Sequence, residues 1–532
     1  MIDLEELKKA IFLDKTGDLQ GAESIYLKLL EQEPDNHILL STIGIFYVSK
    51  KDFEKASIYL KKACSIKETL GTVSAYGCAE FEQGKFTNAA RILKHALELG
   101  ETPDIYNNLI LSLFHIEQYA EAIKYTQIMN EKYPDNPNSI NNKIKALTSS
   151  GELLEAEKLC VETIKKDPKS IGAPWFYLGY LKELIYSDDR QALECYKIAL
   201  ENGHRNALYN IGVSYSKLND FENAEKFYKL MLEEYPNQTA TLFSLGMCYM
   251  TQKRFKEGYD LFFQRDKKAF KNFSNNFWQP NQNLDREVNV ICDQGLGDHI
   301  HHARYLHALS EKVKQINVIA NPILKSIFEK NFPFAKFITQ EEINPDVQTL
   351  FITDLAYALD IDFENIPFAE GYLKSKTADI KSEKLKVGIC WEAGAAGIRG
   401  LINRTINVKL LEPIFELENI QIYSFQVTDS MGGNEKYPQM INLAKDFKDF
   451  EDTAQALKAM DVLVTVDTSV AHMAGALGVK TYLMLPYTTD WRWFEDTKTT
   501  PWYKSVEIFK QTDPISWGNV ISEIVEKLKS FK

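Results

Sequence analysis

The sequence predicts an α + α/β protein, an N-terminal α-helical solenoid followed by a two-lobed, Rossmann-like region. Two observations predict it. Alanine recurs at a near-constant interval through the first half, and from Val288 short apolar strands alternate with helical stretches, the pattern of parallel βα units.

The alanines are Ala22, Ala56, Ala89, Ala122, Ala156, Ala192 and Ala224, with Gly258 in the eighth place, at steps of 34, 33, 33, 34, 36, 32 and 34 residues. This is the period of a tetratricopeptide helix pair. Tyr106-x-x-Leu109, Trp175-x-x-Leu178-Gly179, Leu208-x-x-Ile211-Gly212 and Leu242-x-x-Leu245-Gly246 mark first helices, while Pro34, Pro134, Pro168 and Pro236 close second ones. Small residues let the paired helices approach and large ones fill the holes between pairs. About eight repeats over residues 1–270 predict a right-handed solenoid whose concave face takes an extended peptide or protein partner. Asn108, Asn142 and Asn210 hold the sixth position of their repeats, which faces that groove in this frame. An amide both donates and accepts, so it can grip a peptide backbone without reading side chains. Solvated helix-face asparagines are the alternative. The arrangement resembles the asparagine ladder of the O-linked N-acetylglucosamine transferases, which also join such repeats to a glycosyltransferase domain.

Beyond Arg265 the repeat frame fails and "DKKAFKNFSNNFWQPNQNLDRE" forms a polar bridge. Strands are predicted at 288–292, 316–320, 349–353, 386–391, 420–425, 462–466 and 480–485. The charged stretch "KTADIKSEKL" divides them into a first lobe, 271–380, and a second, 381–532. The first lobe opens "VNVICDQGLGDHIHHARYL". Gly295 and Gly297 permit a sharp strand-to-helix turn, and Asp298 falls near the helix start, either facing the crevice above the strand ends or capping the helix. Asp298 and His302 could share a helical face, yet no further ligand spacing accompanies them or His299 and His301, so no metal is expected. In the second lobe a buried strand ends at Trp391 and Gly394 lies in a small-residue loop, both expected as donor contacts, and Arg404 can neutralise a phosphate. Asp467 or Thr468 then caps a helix that Gly478 ends. The N–H groups of Ser469, Val470 and Ala471 make its N-terminus an anion site. The aromatic stretch "PYTTDWRWFEDTKTTPWYKSVEIFKQ" lies where a sugar or base would sit, or packs on the C-terminal helix.

With 62 Lys and Arg against 74 Asp and Glu, a net charge of −12 and no long basic run, nucleic acid is not an expected partner. The charged N-terminus lacks a signal-peptide core and no segment carries 18 uncharged apolar residues, so a cytoplasmic protein without membrane insertion is expected. Seven scattered cysteines without a C-x-x-C pair read as buried free thiols in a reducing compartment.

Gly295-Leu296-Gly297-Asp298 with Ala303-Arg304-Tyr305, then Gly388-Ile389-Cys390-Trp391, Asn403-Arg404-Thr405-Ile406, Asp467-Thr468-Ser469-Val470-Ala471-His472 and Asp490-Trp491-Arg492-Trp493 resemble, in that order, tetratricopeptide proteins with a heptosyltransferase-like domain. That domain is of glycosyltransferase family 9 or its kin, with the two-lobed GT-B fold, and the resemblance covers residues 285–520. It implies a glycosyltransferase with Asp298 as general base, Arg404 as donor-phosphate ligand, and Asp467, Thr468, Ser469 and His472 holding the diphosphate of a nucleotide-sugar. The implied reaction is a metal-independent inverting displacement on a protein acceptor captured by the repeats, such as flagellin or another surface protein. The first lobe is shorter than in free-standing heptosyltransferases, and Glu392-Ala393-Gly394-Ala395 replaces the Gly-Asn the family commonly places there. Competing expectations are a non-catalytic scaffold retaining the fold alone, and a transferase for lipid-linked or polysaccharide acceptors.

Overall fold

The computed structural model describes residues 3–134, 136–166, 172–265, 270, 273–394, 404–494 and 497–531. Pro168, Ala395 and Asn403 lie outside the described residues.

Among the described residues sixteen helices, in eight pairs from Leu4–Thr16 with Leu19–Gln32 to Thr239–Thr251 with Phe255–Phe262, occupy the repeat region. Their turns share one device. Gly17, Lys51, Gly84, Glu117, Gly151, Ser187, Asn219 and Lys253, one in each pair, all have positive φ. In the second pair the next N–H, on Asp52, reaches back to the carbonyl of Tyr47 at 2.9 Å, as in a Schellman closure. Asp18, Asp52, Asp188 and Asp220 then cap the following helix, each accepting from the backbone N–H three residues on. The seven repeated alanines are all fully buried. The glycines of the first helices mark the closest approach: a Cβ on Gly44, Gly77 or Gly212 would stand 2.4–2.7 Å from Leu60, Leu93 or Tyr228 in the second helix of the same pair.

The chain divides into two compact units, Met1–Ala207 and Leu208–Lys532. The division falls inside the array, not at residue 270 as the loss of the repeat frame suggests, because the last pair is sealed onto the α/β region. Phe255 stacks on Trp502 and Phe494 and meets Trp491 edge-on. Arg265, just past the last helix, is buried between Asp293 (2.8 Å) and Asp354 (2.5 Å) and donates to Thr353 at 2.7 Å.

The first lobe holds β1 (Glu287–Ile291), β2 (Gln315–Ile319), β3 (Ala335–Phe337) and β4 (Gln348–Phe351) in a parallel sheet of order β3-β2-β1-β4. The second holds β5 (Leu385–Cys390), β6 (Ile420–Ser424), β7 (Ile441–Asn442), β8 (Val462–Val466), β9 (Thr481–Leu485), β10 (Thr499–Thr500) and β11 (Tyr503–Lys510). Their order is β10-β11-β9-β8-β5-β6-β7, parallel except for the hairpin of β10 with β11. All seven predicted strands are present. In each sheet the strand order reverses beside the first strand, at β1/β4 and at β5/β8, so a crevice opens at the carboxyl ends of these strands.

The segment after the first sheet runs across the second lobe, with Tyr372 and Leu373 N–H donating to the Ala476 carbonyl and Ala378 N–H to that of Gln455. Among the described residues no helix is long and apolar enough to cross a membrane, and all seven cysteines are free thiols.

Candidate functional site between the two sheets

Two short helices meet above the strand ends, Leu296–Ala303 after β1 and Ser469–Ala476 after β8. Gly297 permits the approach: a Cβ there would lie 2.9 Å from His472 Cδ2. Gly295 is the N-cap of the first helix, and Asp298 at N3 accepts the Gly295 N–H at 3.1 Å, the one half of a capping box that a glycine N-cap allows. Its other oxygen is bound by Arg492 of the second lobe. Asp298 is therefore both cap and crevice residue. Burial alone would raise its pKa, but the Arg492 guanidinium, His302, His472 and the Gly295 N–H together outweigh it and hold the carboxyl below its ordinary value.

Thr468 is the N-cap of the second helix and takes the N–H of Ala471 at 3.4 Å, so only two of the three expected anion donors remain. Ser469 and Val470 N–H have no acceptor among the described residues. Asp467 sits below them, buried, with Arg404 Nη1 and His472 Nε2 each 3.7 Å from its carboxylate. Burial and the neighbouring Asp490 raise its pKa despite the two arginines nearby. The Arg404 side chain is 30% exposed.

His472, expected to hold phosphate, is spent internally. Its Nδ1 lies 3.0 Å from Tyr503 Oη, its ring stacks on Trp493 at 5.3 Å, and it is 3% exposed. His301 Nδ1 approaches the same phenol at 3.3 Å. One hydroxyl can donate to one ring and accept from the other, so both Nδ1 atoms are served with the histidines neutral, while the buried His301 Nε2 has no partner among the described residues. Burial indeed holds His301 and His472 well below the usual value and His302 at about 3. His302 Nδ1 donates to the Asp298 carbonyl at 2.9 Å, and Arg304, fully buried, donates to the carbonyls of His301 and Trp502 and stacks on Tyr503.

Trp391 is corrected from a donor contact to a core residue: its ring is fully buried among the side chains around β5, against Gly433 and Val408. The loop behind it is locked by Gln426, whose Oε1 accepts from Trp391 and Glu392 N–H, while Glu392 accepts from Ser430 N–H at 3.0 Å. Gly394 is exposed, and among the described residues nothing lies within 4 Å of where its Cβ would stand.

The groove asparagines differ among themselves. Asn142 is buried and donates to Asn107 at 3.1 Å, so its amide serves the array and not a ligand. Asn108 and, in the other unit, Asn210 are half-buried. Sequence reasoning assigned no role to Arg492, Asp490, Tyr503 or Glu392. Asp490-Trp491-Arg492-Trp493 was the available signal for the first two, since an arginine between tryptophans is held rigid beside a crevice.

Tetratricopeptide-repeat family models match residues 39–70, 75–137 and 206–237, all within the repeat region. The chain carries tetratricopeptide repeats. Such repeats commonly bind peptide or protein partners. The BBSome complex member BBS4 of Bos taurus is 32% identical over 126 residues, 23% of this chain and 24% of that protein, so the chain spans about a quarter of it. Protein FlbA of Caulobacter vibrioides is 20% identical over 584 positions, covering 98% of this chain and 95% of that one. Among solved structures, a tetratricopeptide repeat protein from Parabacteroides merdae superposes with a TM-score of 0.43 at 16% identity, over 46% of this chain and 97% of that one. YrrB, described as a TPR protein with an unusual peptide-binding site, gives 0.28 at 21% identity, over 34% and 95%.

Proposed function

We propose that the protein is a GT-B-type glycosyltransferase, heptosyltransferase-like, which moves a sugar from a nucleotide-sugar to a protein held by the repeats, such as flagellin or another surface protein, in the cytoplasm. One observation carries the reading: the N-termini of helices Leu296–Ala303 and Ser469–Ala476, one from each sheet, converge with Asp298, Asp467, Arg404 and Arg492 between them. A helix start with two open N–H groups and adjacent arginines suits the phosphate of a leaving nucleotide, and a carboxylate on the facing helix suits an acceptor hydroxyl. In the reaction the acceptor oxygen bonds to the anomeric carbon as the bond from that carbon to the phosphate oxygen breaks. The hydroxyl proton goes to Asp298, and the electron pair leaves with the nucleotide, whose charge the helix N-terminus and arginines stabilise. No metal is required for this charge balance.

A scaffold reading has its own support, since Asp298 and His472 are already engaged within the protein. The two readings separate in thermal melts with UDP, GDP, ADP and CMP. A nucleotide at 100 times its dissociation constant stabilises its unit by about 2.7 kcal/mol. The expected result is an upward shift with one nucleotide that Arg404→Ala abolishes; no shift with any of the four overturns the transferase reading.

A further inference from the structure

Resting on that reading, we propose that Arg492 is a donor-phosphate ligand held in reserve by Asp298, and that phosphate at the start of helix Ser469–Ala476 draws it away and releases Asp298 to act as base. The backbone around Arg492 is pinned. Trp491 and Trp493 on either side are buried, Trp502 Nε1 donates to the Arg492 carbonyl at 2.8 Å, and Asp490 accepts the Arg492 N–H at 3.1 Å. Only the guanidinium has freedom to choose partners. Its Nη2 meets Asp298, its Nη1 meets Asp490 at 2.7 Å, and its buried Nε has no acceptor among the described residues. A phosphate offers that fork the paired oxygens a monodentate contact with Asp298 does not.

The charge arrangement favours the exchange. Three carboxylates, Asp298, Asp467 and Asp490, share Arg404 and Arg492, and Arg492 feels all three. An entering phosphate competes with Asp298 for the Arg492 guanidinium. While paired, Asp298 is also a weakened base, held below its ordinary value chiefly by that cation. The same contact thus keeps the crevice inactive when no donor is present and adds a phosphate ligand when one arrives.

Calorimetric titration of the full chain with UDP, GDP, ADP and CMP tests this. Asp298→Asn keeps an oxygen for the Gly295 N–H but removes the charge that holds Arg492. It is expected to bind the active nucleotide about fivefold tighter or more, the scale of a typical coupling between sites. Arg492→Ala is expected to weaken binding and Arg492→Lys to fall between, because lysine keeps the charge and loses the fork. In Asp298→Asn/Arg492→Ala the gain from asparagine should vanish. Nucleotide binding that is lost in Arg404→Ala yet unchanged or weaker in Asp298→Asn, or unchanged in Arg492→Ala, overturns the inference and leaves the transferase reading standing. Binding by none of the variants and none of the nucleotides removes both.

Discussion

In Met1–Ala207 the ion pairs ride on helix surfaces. Lys50 and Glu23 meet at 2.5 Å with both side chains about a quarter exposed, and buried Glu80 accepts from neutral Asn88. In Leu208–Lys532 three arginines go inside: Arg265 lies between Asp293 and Asp354, Arg304 is fully buried, and Arg492 joins Asp298 across the crevice. The difference follows from how each half is assembled. A helix pair satisfies its backbone internally and finds its neighbour through shape, so small residues at fixed positions suffice. Sheets that end in loops must bring together strand ends far apart in sequence, and a buried, fully partnered charge penalises every other arrangement.

The largest test of that contrast is Arg265→Ala. It leaves two buried carboxylates facing each other, and breaking such a pair costs about 3–5 kcal/mol. Urea unfolding should show that loss in the transition of Leu208–Lys532 with the Met1–Ala207 transition unmoved; an equal effect on both would dissolve the contrast. Gly44→Ala is the complementary probe. Its Cβ would press on buried Leu60 at 2.4 Å, and overpacking of this kind costs about 1–3 kcal/mol. Here the first unit alone should weaken.

The smallest expected effect is one of pH. Burial holds His301, His302 and His472 below the ordinary histidine value. Between their folded values and about 6.5 the unfolded chain binds more protons, so each contributes stability that declines as pH falls below about 6.5, at up to about 1.4 kcal/mol per pH unit. Asp293 and Asp467, raised by burial, titrate in the opposite sense. The share of one histidine is therefore read by difference: melts at pH 7 and 5.5 should fall less steeply for His302→Asn than for the unaltered chain, and identical slopes would count against the neutral cluster.

The repeats were readable because each one restates the same steric demand: an alanine that vanishes into the pair, and, in several pairs, a glycine opposite a large side chain. Strands β1, β2, β4, β5, β6, β8 and β9 were readable as apolar runs. Strand β11 was not, since "YKSVEIFK" interleaves charge with its apolar face inside an aromatic stretch, and β3, β7 and β10 are two or three residues long. The anion-binding turn at Thr468 could be found from local capping chemistry. The partner of Asp298 could not, because it lies 194 residues away, and neither could the sequestering of Trp391, Asn142 and His472, which depends on neighbours from other elements.

The seal between Phe255 and the tryptophans carries a practical meaning for anyone dividing this polypeptide. A cut after Phe270, where the sequence changes character, would strip Trp491 and Trp502 of their covering ring and Asp293 and Asp354 of their arginine. A cut near Ala207 spares all of these. The last helix pair is, in effect, an outer wall of the α/β half, written in the grammar of the repeats.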